Sequence, residues 1–400
     1  MAEAYIVASC RTPFGKYGGA LKDVRPDDMA GLVMREVARR ANLDPNDIDD
    51  VLFGCANQAG EDNRNIARMG VLLAGFPERV PAVTINRLCG SSLDAIIQAG
   101  RAIKNGDADV IIAGGVESMT RAPYSVPKNV SGAALFGNLT AYDTALGWRY
   151  PNPKLEAMFP LESMGETAEN VAEQWKISRE DQDAFAYDSH QRAIKAQEDG
   201  FYDREIVSVE IPSRKGDPVV VNRDEQPRKD TSMDKLATLR PAFRKGGTVT
   251  PGNSSSLNDG ASAVVMVSER MLSKLGVEPM GRFVAGLSEG LSPRVMGVGP
   301  IYAVNKLLDR TGKKLSDVDL FELNEAFASQ SLAVIRELGL SRDIVNPKGG
   351  AIAIGHPLGA SGGRVVGTLL NQMNDGGLKR GIATMCIGVG QGIAAMFERD

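Results

Sequence analysis

The sequence predicts a layered α/β protein that is built from two similar halves, with an insertion in the first half. Apolar runs of strand length alternate with amphipathic runs of helix length at both ends of the chain, which is the pattern of helices packed on a sheet. Segments of the first half recur in the second at an offset of about 270 residues, as in an internal duplication. Between residues 121 and 245 the alternation stops and prolines, glycines and charges become dense. We interpret this stretch as an inserted segment with a function of its own.

Hydrophobic periodicity predicts the elements of the first half in order. Met29, Leu32 and Val37 recur at helical spacing, and the apolar run that ends at Gly114 is typical of a strand buried on both faces. The predicted elements are a strand (Ala4–Ser9), a helix (Asp28–Asn42), a strand (Ile48–Phe53), a helix (Asn65–Leu73), a strand that begins at Val83, a helix that ends near Asn105, a strand (Asp109–Gly114) and, after the insertion, a strand (Ala261–Ser268).

The insertion and the repeat define three units. Inside the insertion we predict amphipathic helices over Thr167–Gln174 and Arg179–Glu198, the second capped by Ser178 because acidic residues fill its first turn. The repeat pairs Leu43–Phe53 with Leu315–Leu323, Cys89–Leu93 with Gly359–Gly363, and Asp109–Ala113 with Gly381–Met385. The predicted units are a first half (residues 1–120 and 246–272), an inserted loop domain (121–245) and a second half (273–400).

Composition argues against several classes of function. A chain of 400 residues with 43% hydrophobic and 24% charged residues is globular, and its net charge of −4 offers no basic surface for nucleic acid. No apolar stretch reaches the ~18 residues of a membrane span, and no signal-peptide pattern opens the chain. The four cysteines lack C-x-x-C spacing and there are only two histidines, which argues against a zinc centre or a disulfide framework. We expect a cytoplasmic protein with free thiols, no metal, no nucleic-acid partner and no membrane association.

Cys89 is the first candidate for chemistry. The β-branched stretch Val83–Ile85 precedes it, and an apolar-periodic helix follows it after small residues, so the thiol lies where a strand passes into a helix. The partial positive charge and unpaired N–H groups of a helix N-terminus lower a thiol pKa and can hold an oxyanion. The alternative is a small buried cysteine, since cysteines are often buried.

Three stretches of the second half place polar residues at predicted strand ends or in glycine-rich turns, where layered α/β proteins bind ligands. They contain Asn324, His356 and Cys386 with the following Gly388. His356 is the candidate base for Cys89, and Cys386 could move protons to and from carbon. Asn324 could hold a water or donate to a carbonyl oxygen, and the N–H groups of Cys89 and Gly388 could form a second oxyanion site. Two thiols with these roles suit acyl transfer coupled to making or breaking a C–C bond.

At these residues the chain resembles the thiolase family. The motifs that carry the resemblance, in order, are Asn86-Arg-Leu-Cys-Gly-Ser, Gly114-Gly-Val-Glu-Ser-Met, Asn324-Glu-Ala-Phe-Ala, Gly355-His-Pro-Leu-Gly-Ala-Ser-Gly and Cys386-Ile-Gly-Val-Gly-Gln-Gly. The resemblance implies a duplicated five-layered αβαβα fold with an inserted loop domain, assembled as a homodimer or homotetramer. It also implies acyl-CoA and coenzyme A as substrates, with no permanently bound cofactor.

The resemblance also implies a role for each candidate. Cys89 would be the acylated nucleophile, His356 its activator, and Cys386 the acid and base at the acetyl α-carbon. Asn324 with a bound water and His356 would form one oxyanion hole. The N–H groups of Cys89 and Gly388 would form the other.

Four positions match the coenzyme A site of the family: Met164, Arg228, Phe243 and Ser255. Arg228 could serve the nucleotide end and Phe243 the apolar pantetheine arm. Ordinary surface or packing roles are the alternative for each. His190 lies on the charged predicted helix Arg179–Glu198, and we expect it on the surface.

The acyl chain stays open at the level of sequence. Ser163 stands where acetoacetyl-forming members often carry histidine, which argues against a strict acetoacetyl-CoA enzyme. Thr144–Tyr150 and Ser292–Pro300 resemble the β-ketoadipyl-CoA thiolase branch, in which Arg149 would meet a distal carboxylate, although a contact between subunits is the alternative. A general 3-ketoacyl-CoA thiolase, an acetoacetyl-CoA enzyme and a 3-oxoadipyl-CoA thiolase are therefore all considered. A decarboxylating ketoacyl synthase is disfavoured by Cys386, and a non-catalytic lipid or coenzyme A carrier by the complete set of candidate catalytic residues.

Overall fold

The computed structural model describes residues 2–128, 138–213 and 215–399. Its helices are α1 (Pro26–Arg40), α2 (Ile66–Leu73), α3 (Ser91–Asn105), α4 (Pro153–Met158), α5 (Met164–Gln174), α6 (Arg179–Glu198), α7 (Met233–Ala237), α8 (Glu269–Leu275), α9 (Gly299–Thr311), α10 (Ala328–Leu338), α11 (Ala351–Ile354) and α12 (Ser361–Gly376). Its strands are β1 (Ala4–Arg11), β2 (Gly15–Lys16), β3 (Asp50–Gly54), β4 (Ala82–Ile85), β5 (Val110–Ser118), β6 (Tyr124–Ser125), β7 (Tyr142–Asp143), β8 (Val209–Ile211), β9 (Val219–Val221), β10 (Asn258–Ser268), β11 (Gly281–Gly290), β12 (Leu320–Leu323), β13 (Arg380–Ile387) and β14 (Gln391–Glu398). Among the described residues, no helix combines the length and apolar character needed to cross a bilayer.

Each half of the chain builds a sheet with the same strand order. The order is β4-β3-β5-β10-β1 in the first half and β12-β13-β14-β11 in the second, where Val345 bridges Phe321 on the outer side of β12. In both halves parallel pairing passes into antiparallel pairing, at β5–β10 and at β13–β14. A short pairing of Tyr5 and Ile6 with β11 joins the two sheets. The predicted duplicated α/β fold is confirmed.

Five layers result from this duplication. Helices α3 and α12 lie together between the sheets, where side chains such as Ile96 and Leu369 share one apolar core with both. Helices α1 and α2 cover the outer face of the first sheet, and α9 and α10 cover that of the second. The N-terminal ends of the two central helices approach closely because Gly362 faces Leu93: a Cβ on Gly362 would lie 2.3 Å from the Leu93 nitrogen. Those two helix ends are where the candidate site forms.

The inserted stretch adds helices at the edge of this core. Helix α6 has the predicted bounds, and Ser178 accepts the Asp181 N–H at 3.0 Å as its cap. Helix α5 begins at Met164, three residues earlier than predicted, because Ser163 caps it.

The expectation that His190 lies on the surface is wrong. This side chain is 5% exposed, and its Nδ1 accepts the Arg228 N–H at 3.2 Å. Burial lowers the pKa of His190 to about 4. Helix α6 therefore has a buried face although its sequence is rich in charged residues, and the number of charges does not indicate which face that is.

Candidate active site

A cavity of about 330 Å³ opens where the N-terminal ends of α3 and α12 meet the turn between β13 and β14. Six of the nine candidate catalytic and coenzyme A residues line it, namely Cys89, His356, Cys386, Gly388, Met164 and Ser255. Asn324 is fully buried and reaches the cavity through its contact with His356. The structure thus brings the five candidate catalytic residues together from both halves of the chain.

Cys89 lies in a single helical turn, Leu88–Gly90, between β4 and α3. Leu88 adopts a left-handed backbone conformation with φ +48°, which is uncommon for a residue other than glycine and costs about 1–3 kcal/mol. Side chains hold the turn in this shape, since Asn86 accepts the Leu88 N–H at 2.9 Å and the Ser91 hydroxyl donates to the Leu88 carbonyl at 2.6 Å. The turn is therefore held in a strained backbone conformation, and in that conformation the Cys89 thiol faces the cavity.

The expected low thiol pKa of Cys89 is wrong for the unliganded protein. The backbone N–H groups of Gly388 and of Cys89 itself hydrogen-bond the sulfur and lower its pKa, as a helix N-terminus should. Burial has the larger effect and raises the pKa of Cys89 to about 11. The thiol is therefore neutral at pH 7, and its proton must leave as the sulfur attacks.

His356 is oriented by a hydroxyl at the start of α12. The Ser361 hydroxyl donates to the Pro357 carbonyl at 2.9 Å, so its oxygen accepts the His356 Nδ1–H at 2.6 Å. This pair fixes the neutral tautomer and leaves Nε2 unprotonated, with a lone pair that can take a proton. The backbone N–H of His356 donates to Asn258 Oδ1 at 2.9 Å, which anchors the turn.

The surroundings of His356 keep its ring uncharged. Burial, assisted by the positive charge of Arg364, lowers the pKa of His356 to about 3. The Asn324 amide nitrogen lies 3.4 Å from Nε2, while the Asn324 Oδ1 is buried and has no hydrogen-bond partner among residues 2–128, 138–213 and 215–399. A buried acceptor without a partner costs about 1–3 kcal/mol, so this oxygen is a position where a bound molecule would be stabilised.

Cys386 lines the same cavity from the end of β13, just before the turn into β14. It is the penultimate residue of β13 and is buried, and burial together with the nearby Cys89 raises its pKa well above the ordinary value for a thiol. Val389 and Gly390 follow with φ +63° and +85°, which bends the chain sharply into β14. A Cβ on Gly390 would lie 2.3 Å from the Leu291 carbonyl oxygen. The tight turn brings the Gly388 N–H to the Cys89 sulfur.

One buried carboxylate, which the sequence reasoning missed, connects the two halves beside the cavity. Glu117, at the end of β5, accepts N–H groups from Ala56 at 3.0 Å, Asn57 at 3.1 Å and Gly359 at 2.8 Å. Burial raises the pKa of Glu117 to about 7, against the opposing effect of these hydrogen bonds. The halves touch here because Gly115 has no side chain; a Cβ would lie 2.0 Å from the Gly359 oxygen. The available signal was an acid at the end of an otherwise apolar strand.

The four candidate coenzyme A residues are not equivalent in position. Met164 and Ser255 line the catalytic cavity. Phe243 is 39% exposed, and its ring packs edge-on against Phe327, a cavity residue, at 6.3 Å between centroids. Arg228 does not line this cavity; it lines a separate recess of about 20 Å³ that also contains His190 and Gln226. The site therefore extends outward from Cys89 past Phe243, with Arg228 further away.

Arg149 contributes a positive charge to the cavity wall. Its Nη1 donates to Asn57 Oδ1 at 2.9 Å and to the Thr144 carbonyl at 3.2 Å, and its Nη2 donates to the Asn57 carbonyl at 2.9 Å. Throughout the described part of the chain, no carboxylate forms an ion pair with this guanidinium. Glu162, an acid in the same wall, is paired instead with Arg294 at 3.0 Å.

Comparison with known proteins agrees with this geometry. Residues 4–270 match the family described as "Thiolase, N-terminal domain" and residues 277–399 match "Thiolase, C-terminal domain". The chain is 53% identical to a protein of Acinetobacter baylyi named beta-ketoadipyl-CoA thiolase, over 100% of both chains. It is 51% identical to the 3-oxoadipyl-CoA/3-oxo-5,6-dehydrosuberyl-CoA thiolase of Escherichia coli, again over 100% of both. The crystal structure of the Bacillus anthracis acetyl-CoA acetyltransferase superposes with a TM-score of 0.93 at 41% identity, covering 100% of this chain and 99% of that one.

The chain therefore belongs to the thiolase family. It is an acyltransferase of the thiolase type, a class that acts on acyl-CoA and coenzyme A.

Proposed function

We propose that the preferred substrate is 3-oxoadipyl-CoA, a six-carbon 3-oxoacyl thioester with a carboxylate at its far end. The observation that carries the proposal is Arg149, which lines the same cavity as Cys89 and has no acidic partner among the described residues. A cation in a cavity wall is stabilised when a substrate brings the opposite charge to it. The names of the two relatives at 53% and 51% identity point to the same substrate.

In the first half-reaction His356 Nε2 takes the proton of Cys89 as the sulfur attacks the 3-oxo carbon. The carbonyl becomes a tetrahedral oxyanion, and its collapse breaks the bond between C2 and C3. The electron pair of that bond passes to C2 of the departing acetyl-CoA, and Cys386 gives its proton to this carbon. The products of this step are acetyl-CoA, a succinyl thioester on Cys89, a protonated His356 and a Cys386 thiolate.

In the second half-reaction the Cys386 thiolate removes the proton of coenzyme A, and the coenzyme A sulfur attacks the succinyl thioester. The Cys89 sulfur leaves and recovers its proton from His356. Succinyl-CoA is released, and every group returns to its starting protonation state. This sequence needs no metal and no redox cofactor.

The geometry of the cavity supports two separate sites for developing negative charge, one formed by backbone N–H groups and one by side chains. The N–H groups of Cys89 and Gly388, which hydrogen-bond the Cys89 sulfur in the free protein, would serve the oxyanion formed next to it. The unpaired Asn324 Oδ1 would accept from a water whose second proton faces the thioester oxygen of the acetyl unit, alongside protonated His356. Met164, Ser255 and Phe243 would enclose the pantetheine arm, with Arg228 further out towards the nucleotide.

We also propose that the chain acts as a homodimer or homotetramer in the cytoplasm. Strand β4 is an edge of its sheet and exposes Val83, and the neighbouring α2 exposes Leu72 and Leu73. An apolar sheet edge favours pairing with another chain. All four cysteines are free, as in proteins of reducing compartments. Light scattering of the purified protein tests the assembly, and a monomer at micromolar concentration would contradict it.

Two substrates with the same carbon chain test the proposed specificity. 3-Oxoadipyl-CoA and 3-oxohexanoyl-CoA both carry a six-carbon acyl group, but only the first ends in a carboxylate. A charge-assisted contact with Arg149 is worth about 1.5–3 kcal/mol, so we expect kcat/KM to favour 3-oxoadipyl-CoA by about 10-fold to 100-fold. Equal values for the two substrates would overturn the proposal and leave a thiolase without selection for a distal carboxylate.

A further inference from the structure

Asn57 makes two of the three hydrogen bonds that hold the Arg149 guanidinium. Its side-chain oxygen accepts from Nη1 and its carbonyl accepts from Nη2, both at 2.9 Å. These bonds occupy one edge of the guanidinium. The Nε–H and one N–H of Nη2 donate to none of the described residues, and a carboxylate can accept two such donors side by side.

Among the described residues, the side-chain amide of Asn57 hydrogen-bonds only Arg149. Its Nδ2 is buried without a hydrogen-bond partner in the described part of the chain. A buried donor left unpaired costs about 1–3 kcal/mol, and such groups in folded proteins often reflect a functional requirement. Since Arg149 is the partner of the side-chain oxygen, the orientation of the amide is set by the guanidinium.

Asn57 is in turn fixed to the catalytic machinery. Its backbone N–H donates to Glu117 Oε1, while Glu117 Oε2 accepts the N–H of Gly359, three residues beyond His356. The loop that holds the Arg149 guanidinium and the turn that carries the His356 imidazole are therefore both hydrogen-bonded to the carboxylate of Glu117. These shared hydrogen bonds fix the distance between Arg149, which would meet the distal end of the substrate, and His356, which serves Cys89.

We propose that Asn57 is a specificity-determining residue that positions Arg149 to receive the distal carboxylate of the acyl chain. The inference rests on the substrate proposed above. Asn57 acts through Arg149 and not on the reacting atoms, so its replacement should change the choice between substrates and leave the chemical step largely intact.

Two variants separate the orienting bond from the charge. Asn57→Ala removes the side-chain acceptor and leaves both carbonyl acceptors of Arg149 in place. Asn57→Asp keeps an acceptor at the same distance but gives Arg149 an internal anion, which competes with the substrate carboxylate. Gln58→Asn is the matched control, because Gln58 is the next residue in the same loop and its side chain donates to the Cys55 carbonyl, away from Arg149.

The measurement is the ratio of kcat/KM for 3-oxoadipyl-CoA to that for 3-oxohexanoyl-CoA. We expect Asn57→Ala to lower the ratio by about threefold to tenfold and Asn57→Asp by at least about tenfold, through KM for 3-oxoadipyl-CoA. Turnover of 3-oxohexanoyl-CoA should stay within about threefold of wild type, and Gln58→Asn should keep the wild-type ratio. A general structural role would lower both substrates equally and leave the ratio unchanged, which would overturn the inference.

Arg149→Met distinguishes failure of this inference from failure of the proposed function. If wild type prefers 3-oxoadipyl-CoA, Arg149→Met loses that preference and both Asn57 variants keep it, then only the role of Asn57 is refuted. If wild type shows no preference, the proposed substrate is refuted, and the inference falls with it. Thermal unfolding of each variant shows whether it is folded, and an unfolded Asn57→Asp protein leaves Asn57→Ala as the deciding variant.

Discussion

Removing the Ser361 hydroxyl tests how the structure prepares His356 for catalysis. Ser361 accepts the His356 Nδ1–H at 2.6 Å, so Ser361→Ala leaves that buried N–H without its partner. Two responses are open to the ring. It can keep the same tautomer with an unpaired donor, or it can move its proton to Nε2, where the lone pair is needed to accept the proton of Cys89.

Either response costs the free energy of one buried hydrogen bond to a ring nitrogen. An unpaired buried donor costs about 1–3 kcal/mol, which corresponds to a loss of roughly 5-fold to 150-fold in the rate of a step that requires the original arrangement. The substrate should still bind, because Ser361 does not line the cavity. We therefore expect the loss in kcat and little change in KM.

A serine on another helix supplies a matched control. Ser331 is also fully buried, and its hydroxyl donates to the Phe327 carbonyl four residues earlier, as the Ser361 hydroxyl does to Pro357. Ser331→Ala removes a similar hydrogen bond without touching the histidine. In thiolysis of 3-oxoadipyl-CoA at saturating substrate, we expect Ser361→Ala to lose at least about fivefold in kcat and Ser331→Ala to lose less than about threefold. Equal rates for the two variants would refute the reasoning about the tautomer.

Three further predictions follow from the same geometry. Arg149→Met should lower kcat/KM for 3-oxoadipyl-CoA by about 10-fold to 100-fold and leave 3-oxohexanoyl-CoA within threefold, whereas an equal loss on both would indicate a structural role. Cys386→Ser should lower C–C cleavage by about 10²–10⁴-fold, since a hydroxyl is a much weaker acid. Acetylation of Cys89 by labelled acetyl-CoA should fall much less, because coenzyme A can leave as a thiolate without first taking a proton, and full cleavage activity would contradict the assignment. Because the folded-state pKa of His356 is about 3, below the 6.5 of the unfolded chain, its contribution to stability is present above pH 6.5 and is lost as pH falls towards 3. His356→Asn should therefore reduce the slope of unfolding free energy against pH in that window by up to about 1.4 kcal/mol per pH unit, and an unchanged slope would contradict the low pKa.

The sequence predicted the meeting of Cys89, His356 and Cys386 because each occupies a strand end or a turn before a helix. The duplication then places corresponding ends side by side: turns Leu88–Gly90 and Leu358–Ala360 precede the two central helices. Such patterns depend on local periodicity and topology, which a single sequence records. The bounds of α6 were predictable for the same reason, since its cap and first-turn acids are adjacent in the chain.

Properties that depend on burial were not predictable in this way. The helix N-terminus at Cys89 suggested a lowered thiol pKa, but desolvation, which depends on the whole cavity, reverses the direction. His190 belongs to a helix of charged composition, yet it is buried and its ring accepts the Arg228 N–H. Glu117 accepts the N–H of Asn57 and, 242 positions further along the chain than itself, that of Gly359. A contact at that separation has no local signature.

Trapping the acyl-enzyme tests the central claim most directly. The protein is mixed with 3-oxoadipyl-CoA in the absence of free coenzyme A, quenched in acid and digested, and the cysteine-containing peptides are weighed by mass spectrometry. The mechanism predicts one succinyl group on Cys89, no adduct on Cys386, and no adduct at all in Cys89→Ala. A succinyl group on Cys386, or normal thiolysis by Cys89→Ala, would contradict the account.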